Sequence, residues 1–569
     1  MGRKAVGDIE IVGIVEPNRD LAKQYSDLHG YSMDLVYNTI EEMVEATHPE
    51  AVTAFNMIYD HLKVVEYCAP RGIHAMVEKP LAVSYEHAEK MIALAKKHNI
   101  HLLTNYETSW YGSSTEAYKL IHESKKITDL RKIVFHTGHP GPIEIGCNEE
   151  FLEWLTDPIL NGGGALTDFG CYGANLATWL MNGSVPTTVS CVTQQIKPEL
   201  YPKVEDEATI ILTYPKTQVI IQASWNWSHN RKDMEIYGKS SYIICKNGQD
   251  MEVMESEKAG VYSLTAAPLP KGIDDPFAYL HKVVKENYVV EPFGLASVEN
   301  NKIVIQILEA AKHAAKTGET VVWADFFKSI YPGHAHNDYE NKHPLYDALD
   351  NGFISIEADV HLIDDQLYVA HNRPKNPTPA LTLEAMYLNP LKKYIQENNG
   401  FVYPNYSGPF YLMIDIKTAG KPTYEKLKSI LANYTSILST YQHGEAKAGP
   451  VKVLISGNRP IADILNDDPK LVALDGRPKD LDNNIPASFM PVVSDNYKHI
   501  LSWTGEGQIK DTERQKLKEL VTNTHAQGKQ LRLWASPDNP TVWKFLLDNG
   551  VDLINTDLVE GFRRYFETK

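Results

Sequence analysis

GHAHNDYENKHPLYDALDNGFISIEADVHLIDDQLYVAHN, residues 333–372, gathers His336, Glu357, Asp359 and His371 into one short span. Its middle, FISIEADVHL, alternates as a strand does. Phe353, Ser355, Glu357 and Asp359 fall on one side, and Ile354, Ile356, Ala358 and Val360 on the other. Two acids on the same side of one strand repel each other in a core unless a cation lies between them, and hard divalent ions take several carboxylate oxygens. A second strand, QLYVAHN, ends in His371, so its C-terminal end is expected to deliver an imidazole to the same place.

Downstream, FYLMIDIKT, KVLISG, LVALDG, MPVVS, LRLWAS and DLINTD read as further strands. Helical stretches such as PTYEKLKSILANYTSIL, DTERQKLKELVTNTHAQG and PTVWKFLLDNG separate them. With the two strands of the opening block this gives about eight strands in roughly 240 residues, the size of a (β/α)8 barrel. Polar residues recur where these strands end: His371, Asp415 and Lys417, Asn458, Asp475 and Arg477, Trp534, Asn555 and Asp557. Barrel enzymes assemble their sites on that face. His334 and His361 read as surface or structural histidines.

HAHNDY, EAD, VAHN and IDIKT together resemble the phosphatidylinositol-specific phospholipase C-like superfamily, which includes glycerophosphodiester phosphodiesterases. The branch with HNDY near its start is the nearest in pattern. The resemblance implies a divalent cation, Mg²⁺ or Ca²⁺, on Glu357, Asp359 and Asp415. It also implies His336 and His371 as acid and base, with Lys417 beside the phosphate. Asn372 stands where glycerophosphodiesterases usually carry Asp, and HAHND replaces their HRG, so glycerophosphodiester specificity does not carry over. Independently of any family, a cation on the non-bridging oxygens stabilises the charge that develops on a phosphodiester under attack. Imidazoles can move the two protons near neutral pH.

The first half has a different rhythm. Residues 9–17, IEIVGIVEP, read as a buried parallel strand ending in Glu16, followed by strand–helix alternation through AVTAFN, IHAMVEKP and IHLLTNY. This predicts a doubly wound parallel sheet. From about residue 125 the strands lengthen, as in RKIVFHTG, TTVSCVTQQI, EATIILTY and TQVIIQASW, and predict an open, mainly antiparallel sheet. Glu78-Lys79-Pro80 at a strand end and GGGALTDFGCYGANLATWL from Gly162 resemble the Gfo/Idh/MocA oxidoreductases. The resemblance implies NAD(P) near Glu16, Glu78, Lys79 and Pro80. It assigns substrate binding and proton transfer to Lys79, Asp168 and Tyr172, with Tyr172 where many members have His. It further implies a homo-oligomer through the open sheet. A close lysine is expected to favour the Tyr172 phenolate.

A complete Rossmann unit opens with a strand and a G-x-G-x-x-G turn that holds the pyrophosphate. Only fifteen residues precede Glu16, and no such turn occurs there. The start is therefore shortened relative to such a unit, or ordinary cofactor binding has been lost, and severely weakened dehydrogenase activity is expected.

At 569 residues the chain is too long for one core. The expected domains are an incomplete Rossmann-like domain over 1–120, an α+β open-sheet domain over 121–325 and a barrel over 326–569. The fold class is thus multidomain α/β. A net charge of −17 argues against nucleic acid as a partner. Five cysteines without CxxC spacing suggest neither zinc nor a disulfide framework, and no apolar run reaches membrane-span length. No signal-peptide core precedes the first strand, so a cytoplasmic location is expected. The leading functional reading is a metal-dependent phosphoric diester hydrolase fused to an oxidoreductase-like portion, acting on a small phosphodiester or sugar. An NAD(P)-dependent sugar or polyol oxidoreductase with an accessory barrel, and a non-catalytic sugar-phosphate-binding scaffold, stand as alternatives.

Overall fold

The computed structural model describes residues 9–398, 400–403, 406, 408–442 and 445–567, and the chain divides into two compact units, Met1–Asp325 and Phe326–Lys569.

The first unit opens with β1 (Ile14–Val15), paired in parallel with β2 (Val36–Tyr37). A separate parallel sheet follows, in the order β3 (Ala51–Ala54), β4 (His74–Glu78) and β5 (Leu102–Asn105). Helices Arg19–His29, Ile40–Thr47, His61–Cys68 and Tyr85–His98 alternate with these strands, as the hydrophobic pattern predicts. The first helix starts where Asn18 accepts from Leu21 N and stops at Gly30, whose φ of 69° suits a residue without Cβ. Two readings need correction. The expected buried strand over 9–17 is confined to Ile14–Val15, and Ile9, Ile11 and Val15 are exposed. The parallel strands also form two sheets rather than one. Among the described residues β2 is the only strand paired with β1.

The expected open sheet is present with nine strands. Its strands are β6 (Lys132–Gly138), β7 (Thr188–Gln194), β8 (Glu207–Thr213), β9 (Gln218–Ser224), β10 (Arg231–Tyr237), β11 (Tyr242–Cys245), β12 (Asp250–Met254), β13 (Val261–Thr265) and β14 (Val321–Val322). They lie in the order β13-β12-β11-β10-β6-β9-β8-β7-β14, and only β6–β9 is parallel. Helices Ala165–Leu180 and Val298–Thr317 pack against each other and against this sheet. Gly173 permits the close approach, since a Cβ there would stand 2.5 Å from Ile221 Cγ2.

The second unit is a closed parallel barrel. Its strands are β15 (Tyr331–Ala335), β16 (Phe353–Ile363), β18 (Phe410–Ile416), β21 (Val451–Gly457), β22 (Ala473–Gly476), β23 (Val492–Asn496), β24 (Gln530–Trp534) and β25 (Leu553–Thr556). Pairing of β15 with both β16 and β25 closes the ring. The short β17 (Gln366–Val369) lies outside it, antiparallel to β16, and β19 (Thr440–Gln442) with β20 (Glu445–Lys447) forms a small hairpin. The count of eight from the sequence therefore included β17, which is not a barrel strand, and missed β15. Tyr-Pro-Gly-His-Ala carries two residues that weaken a strand signal, and its register with β16 shifts between Tyr331 and His334.

The first pair of β16 is inverted relative to the predicted alternation. Phe353 belongs to the outer core, its ring 5.5 Å from Phe562, and Ile354 to the inner one. From Ser355 onward the predicted alternation holds. The lower interior is an apolar layer of Ile354, Tyr411, Met413, Leu454, Ala473, Val492 and Leu553. Above it the inward positions turn polar: Glu357, Asp359, Ser456, Asp475, Ser494, Arg532 and Asn555 are all buried. Helices Asp511–His525 and Pro540–Asp548 begin on the residues read from the sequence. Asn539 caps the latter through Val542 N, and Pro540 sits at its first turn.

Candidate functional site

The polar upper layer sits at the C-terminal end of the barrel. Glu357 is buried, and its Oε2 accepts from Arg532 Nη2 at 2.8 Å and from His334 Nε2 at 3.1 Å. Burial alone would raise its pKa, but Arg532 and His334 hold it well below the usual carboxylate range. His334 Nδ1 lies 2.7 Å from Ser355 Oγ, and burial with the nearby Arg532 lowers this imidazole to about 4. His334 is thus a neutral, structural histidine, as read from the sequence, and it orients Glu357.

Asp359 is fully buried one inward position further along. Its Oδ2 receives Tyr339 OH at 2.8 Å, Lys417 Nζ at 3.0 Å and His371 Nδ1 at 3.2 Å. Its Oδ1 is buried, and among the described residues no donor reaches it. On the neighbouring strand Asp415 is the Cα partner of Asp359, and its Oδ1 lies 3.2 Å from Lys417 Nζ. Burial raises the Asp415 pKa, partly offset by Lys417 and reinforced by Glu357 and Asp359. One oxygen from each of Glu357, Asp359 and Asp415 lies within 4.8 Å of the others. Asp415 and Asp359 raise the Lys417 pKa against its burial.

The two expected histidines approach by different routes. His336 follows β15, where its N–H donates to Thr556 O at 3.1 Å and its Nδ1 lies 2.8 Å from Asp557 Oδ1. Burial opposes its charge, but Asp557 and Glu357 outweigh that and raise its pKa. His371 arrives on the β16–β17 hairpin, with Ala370 N donating to Asp359 O at 3.1 Å. An antiparallel turn, and not a parallel barrel strand, delivers it. Each imidazole spends Nδ1 on a carboxylate and keeps Nε2 for another partner.

Sequence reasoning gave no role to Tyr339 or Arg532, placed Asp557 only among the strand-end polar residues, and read His334 as surface or structural without linking it to Glu357. Arg532 carries the clearest signal: a charge at an inward position between Leu531 and Leu533 of β24. Removing one side of such a buried pair costs about 3–5 kcal/mol, so Arg532 and Glu357 stand or fall together.

In the first unit, Lys79 at the end of β4 meets the Asp168 carboxylate and donates to Asp168 O at 2.9 Å. Its Nζ lies 5.2 Å from the centroid of the Tyr172 ring. Trp225 Nε1 donates to the other Asp168 oxygen at 3.0 Å. Lys79, Asp168 and Tyr172 are thus brought together. The expected phenolate is not favoured: burial drives the Tyr172 pKa far up and outweighs Lys79. Glu78 accepts from Asn105 Nδ2 and Pro80 is buried beside it. Glu16 follows β1 of the other sheet, where it accepts from Asn18 N at 2.8 Å. The Gly-rich helix start is capped from within, since Gly164 N and Leu166 N donate to Glu205 Oε1 at 2.8 and 3.1 Å.

Comparison with known proteins agrees with both halves. Residues 2–106 match the oxidoreductase family, NAD-binding Rossmann fold, and residues 115–244 the GFO/IDH/MocA C-terminal domain. Residues 324–471 match the AIM6-like phosphodiesterase domain. The altered inheritance of mitochondria protein 6 homolog of Arthroderma benhamiae is 29% identical over 268 residues, 41% of this chain and 83% of that protein. The Saccharomyces cerevisiae protein is 28% identical over 270 residues, 40% of this chain and 68% of its own length. Trans-1,2-dihydrobenzene-1,2-diol dehydrogenase of Xenopus laevis is 26% identical over 183 residues, 32% of this chain and 52% of that enzyme. Among solved structures, aldose-aldose oxidoreductase from Caulobacter crescentus complexed with glycerol aligns over 55% of this chain and 91% of its own, at 22% identity and a TM-score of 0.46.

Proposed function

We propose that the second unit is a metal-dependent phosphoric diester hydrolase whose site is built from His336, Glu357, Asp359, His371, Asp415 and Lys417. The observation that carries this reading is the Asp359 carboxylate. Three donors crowd Oδ2, while Oδ1 is buried without one beside two more acids. A buried acceptor left bare costs about 1–3 kcal/mol, more when charged, so a positive group on that side would stabilise the arrangement. Hard oxygen donors at this spacing suit Mg²⁺ or Ca²⁺. When bound, such a cation supplies charge stabilisation for the phosphoryl oxygens.

The protein's own groups handle the protons. A water, or a hydroxyl of the substrate itself, forms a bond to phosphorus and gives its proton to His371 Nε2. The phosphorus–oxygen bond to the departing alcohol breaks, and His336 Nε2 protonates that oxygen. Asp557 suits His336 to the acid role by favouring its charged form. Lys417 adds positive charge where the non-bridging oxygens gather.

Hydrolysis of bis(p-nitrophenyl) phosphate tests the reading. EDTA is expected to stop it, Mg²⁺ or Ca²⁺ to restore it, and His371→Ala, which removes the proposed base, to lower kcat by about 10²–10⁴. Turnover indifferent to both treatments would sink the proposal.

The first unit is proposed as an oxidoreductase-like portion with weak NAD(P) binding, its candidate residues being Lys79, Asp168 and Tyr172 for a sugar or polyol and Glu16, Glu78, Lys79 and Pro80 for the cofactor. The Lys79–Asp168 pair favours keeping this second reading. Saturable NADH fluorescence at micromolar concentration would promote it to a full dehydrogenase. Self-association through the open sheet belongs to the same proposal and is read by sedimentation velocity. No helix among the described residues is long and apolar enough to cross a membrane, and the five cysteines are unpaired. A cytoplasmic location is proposed in keeping with the free thiols.

A further inference from the structure

Around the barrel mouth, on the far side of Asp415 from the histidines, lies a second polar construction that the mechanism leaves unused. Asp475, the last residue but one of β22, is fully buried. Ser456 Oγ donates to its Oδ2 at 2.8 Å, and Ser494 Oγ to its Oδ1 at 2.5 Å. Arg477 closes the set, with Nη1 2.6 Å from Asp475 Oδ2 and Nη2 3.1 Å from Ser456 Oγ. The backbone of Arg477 is also fixed. Its N–H donates to Asp480 Oδ2 at 2.9 Å, and the same oxygen accepts from Arg459 Nη1 at 2.9 Å.

Every group that holds Arg477 is buried, while its own side chain keeps 26% of its surface. A guanidinium has five N–H donors. Among the described residues its acceptors engage only Nη1 and Nη2, and Nη2 has a single acceptor. Nε–H and one Nη2–H are therefore unspent. The pair is polarised, with its acid sealed behind and its cation in front. Ser456, against which Nη2 rests, is the Cα partner of Asp415, so the guanidinium is anchored on the strand next to the acid cluster, about one strand spacing, roughly 5 Å, away at the backbone.

We propose that Arg477, held by Asp475, Ser456 and Ser494, forms a subsite for an anionic substituent, carboxylate or phosphate, on one alcohol moiety of the phosphodiester substrate. This rests on the hydrolase reading and narrows its substrate class to diesters that carry a second negative charge. A planar fork with two free donors engages a carboxylate or phosphate bidentately and by charge, whereas a neutral hydroxyl offers one weaker acceptor.

Two diesters with one leaving group test this in the full-length protein: p-nitrophenyl 2-carboxyethyl phosphate and p-nitrophenyl propyl phosphate. Wild type is expected to favour the carboxylate by about tenfold or more in kcat/KM, as one charge-assisted pair allows. Arg477→Gln should bring the ratio close to one, and Arg477→Lys should retain part of it. A ratio near one in wild type, or one unchanged in Arg477→Gln, overturns the subsite. Damage to the fold slows both substrates together and leaves the ratio in place. If neither diester is cleaved with Mg²⁺, Mn²⁺ or Ca²⁺, the hydrolase reading fails on its own account. Calorimetric titration with inorganic phosphate then decides the subsite: binding lost in Arg477→Gln supports it, and no binding to wild type overturns it.

Discussion

The Tyr339 hydroxyl lies 2.8 Å from Asp359 Oδ2 and 2.7 Å from Asn337 Oδ1. It carries one proton, so it serves one acceptor at a time, and the ionised carboxylate is the stronger. The same hydroxyl stands 3.5 Å from His371 Nδ1. Tyr339 thus ties together the candidate base and the carboxylate whose second oxygen is left bare. Tyr339→Phe removes this donor and little packing. On the proposed chemistry kcat/KM should fall by about ten- to hundredfold, the worth of one hydrogen bond to a charged group, while the melting temperature moves little. Diester hydrolysis and a thermal melt of the same preparation measure both. A rate within about twofold of wild type would remove Tyr339 from the site.

The His336–Asp557 pair makes a prediction in pH. Asp557 and Glu357 raise the His336 pKa against its burial. A group acting as an acid works while protonated, so its limb of the profile is alkaline, and activity falls as pH climbs past its pKa. Asp557→Asn withdraws one stabilising charge, lowers that pKa and moves the alkaline limb of kcat/KM to lower pH. A limb that stays put assigns it to another group, and an acidic limb that moves instead makes His336 the base.

Much of this site was legible because its acids are near in sequence. Glu357 and Asp359 declare themselves by period-two spacing, and Asp415 with Lys417 repeats that spacing on the next barrel strand. What the sequence hides is everything set by closure of the ring. Asp557 meets His336 across 221 positions and Arg532 meets Glu357 across 175. No local pattern reports either pairing. β15 escaped because Pro332 and Gly333 suppress its strand signal, although pairing on both sides makes it the strand that closes the barrel. In the first unit the alternation predicted parallel strands correctly. Their separation into two sheets was not foreseen, because strand order is a property of the fold and not of the segment.

Asp338, in the same HNDY run, is expected to govern stability and not catalysis. Its Oδ2 accepts from Leu345 N at 2.6 Å and from Tyr387 OH at 2.9 Å, and burial pushes its pKa up to about 6. Leu345 needs the hold, because its φ of 68° strains a side-chain-bearing residue by about 1–3 kcal/mol. The sign follows from the direction of the shift. The native state binds this proton more tightly than the unfolded chain, whose aspartate titrates near ~4. The contribution is therefore fully present below about pH 4 and is lost as pH rises through about 6. A difference of roughly two units corresponds to about 3 kcal/mol. Asp338→Asn cannot titrate, so urea unfolding of the barrel, followed by hydrogen exchange in its peptides, should lose this component of pH dependence between pH 4 and 6.5. Equal slopes in wild type and variant would mean that Asp338 is ionised in the native barrel throughout.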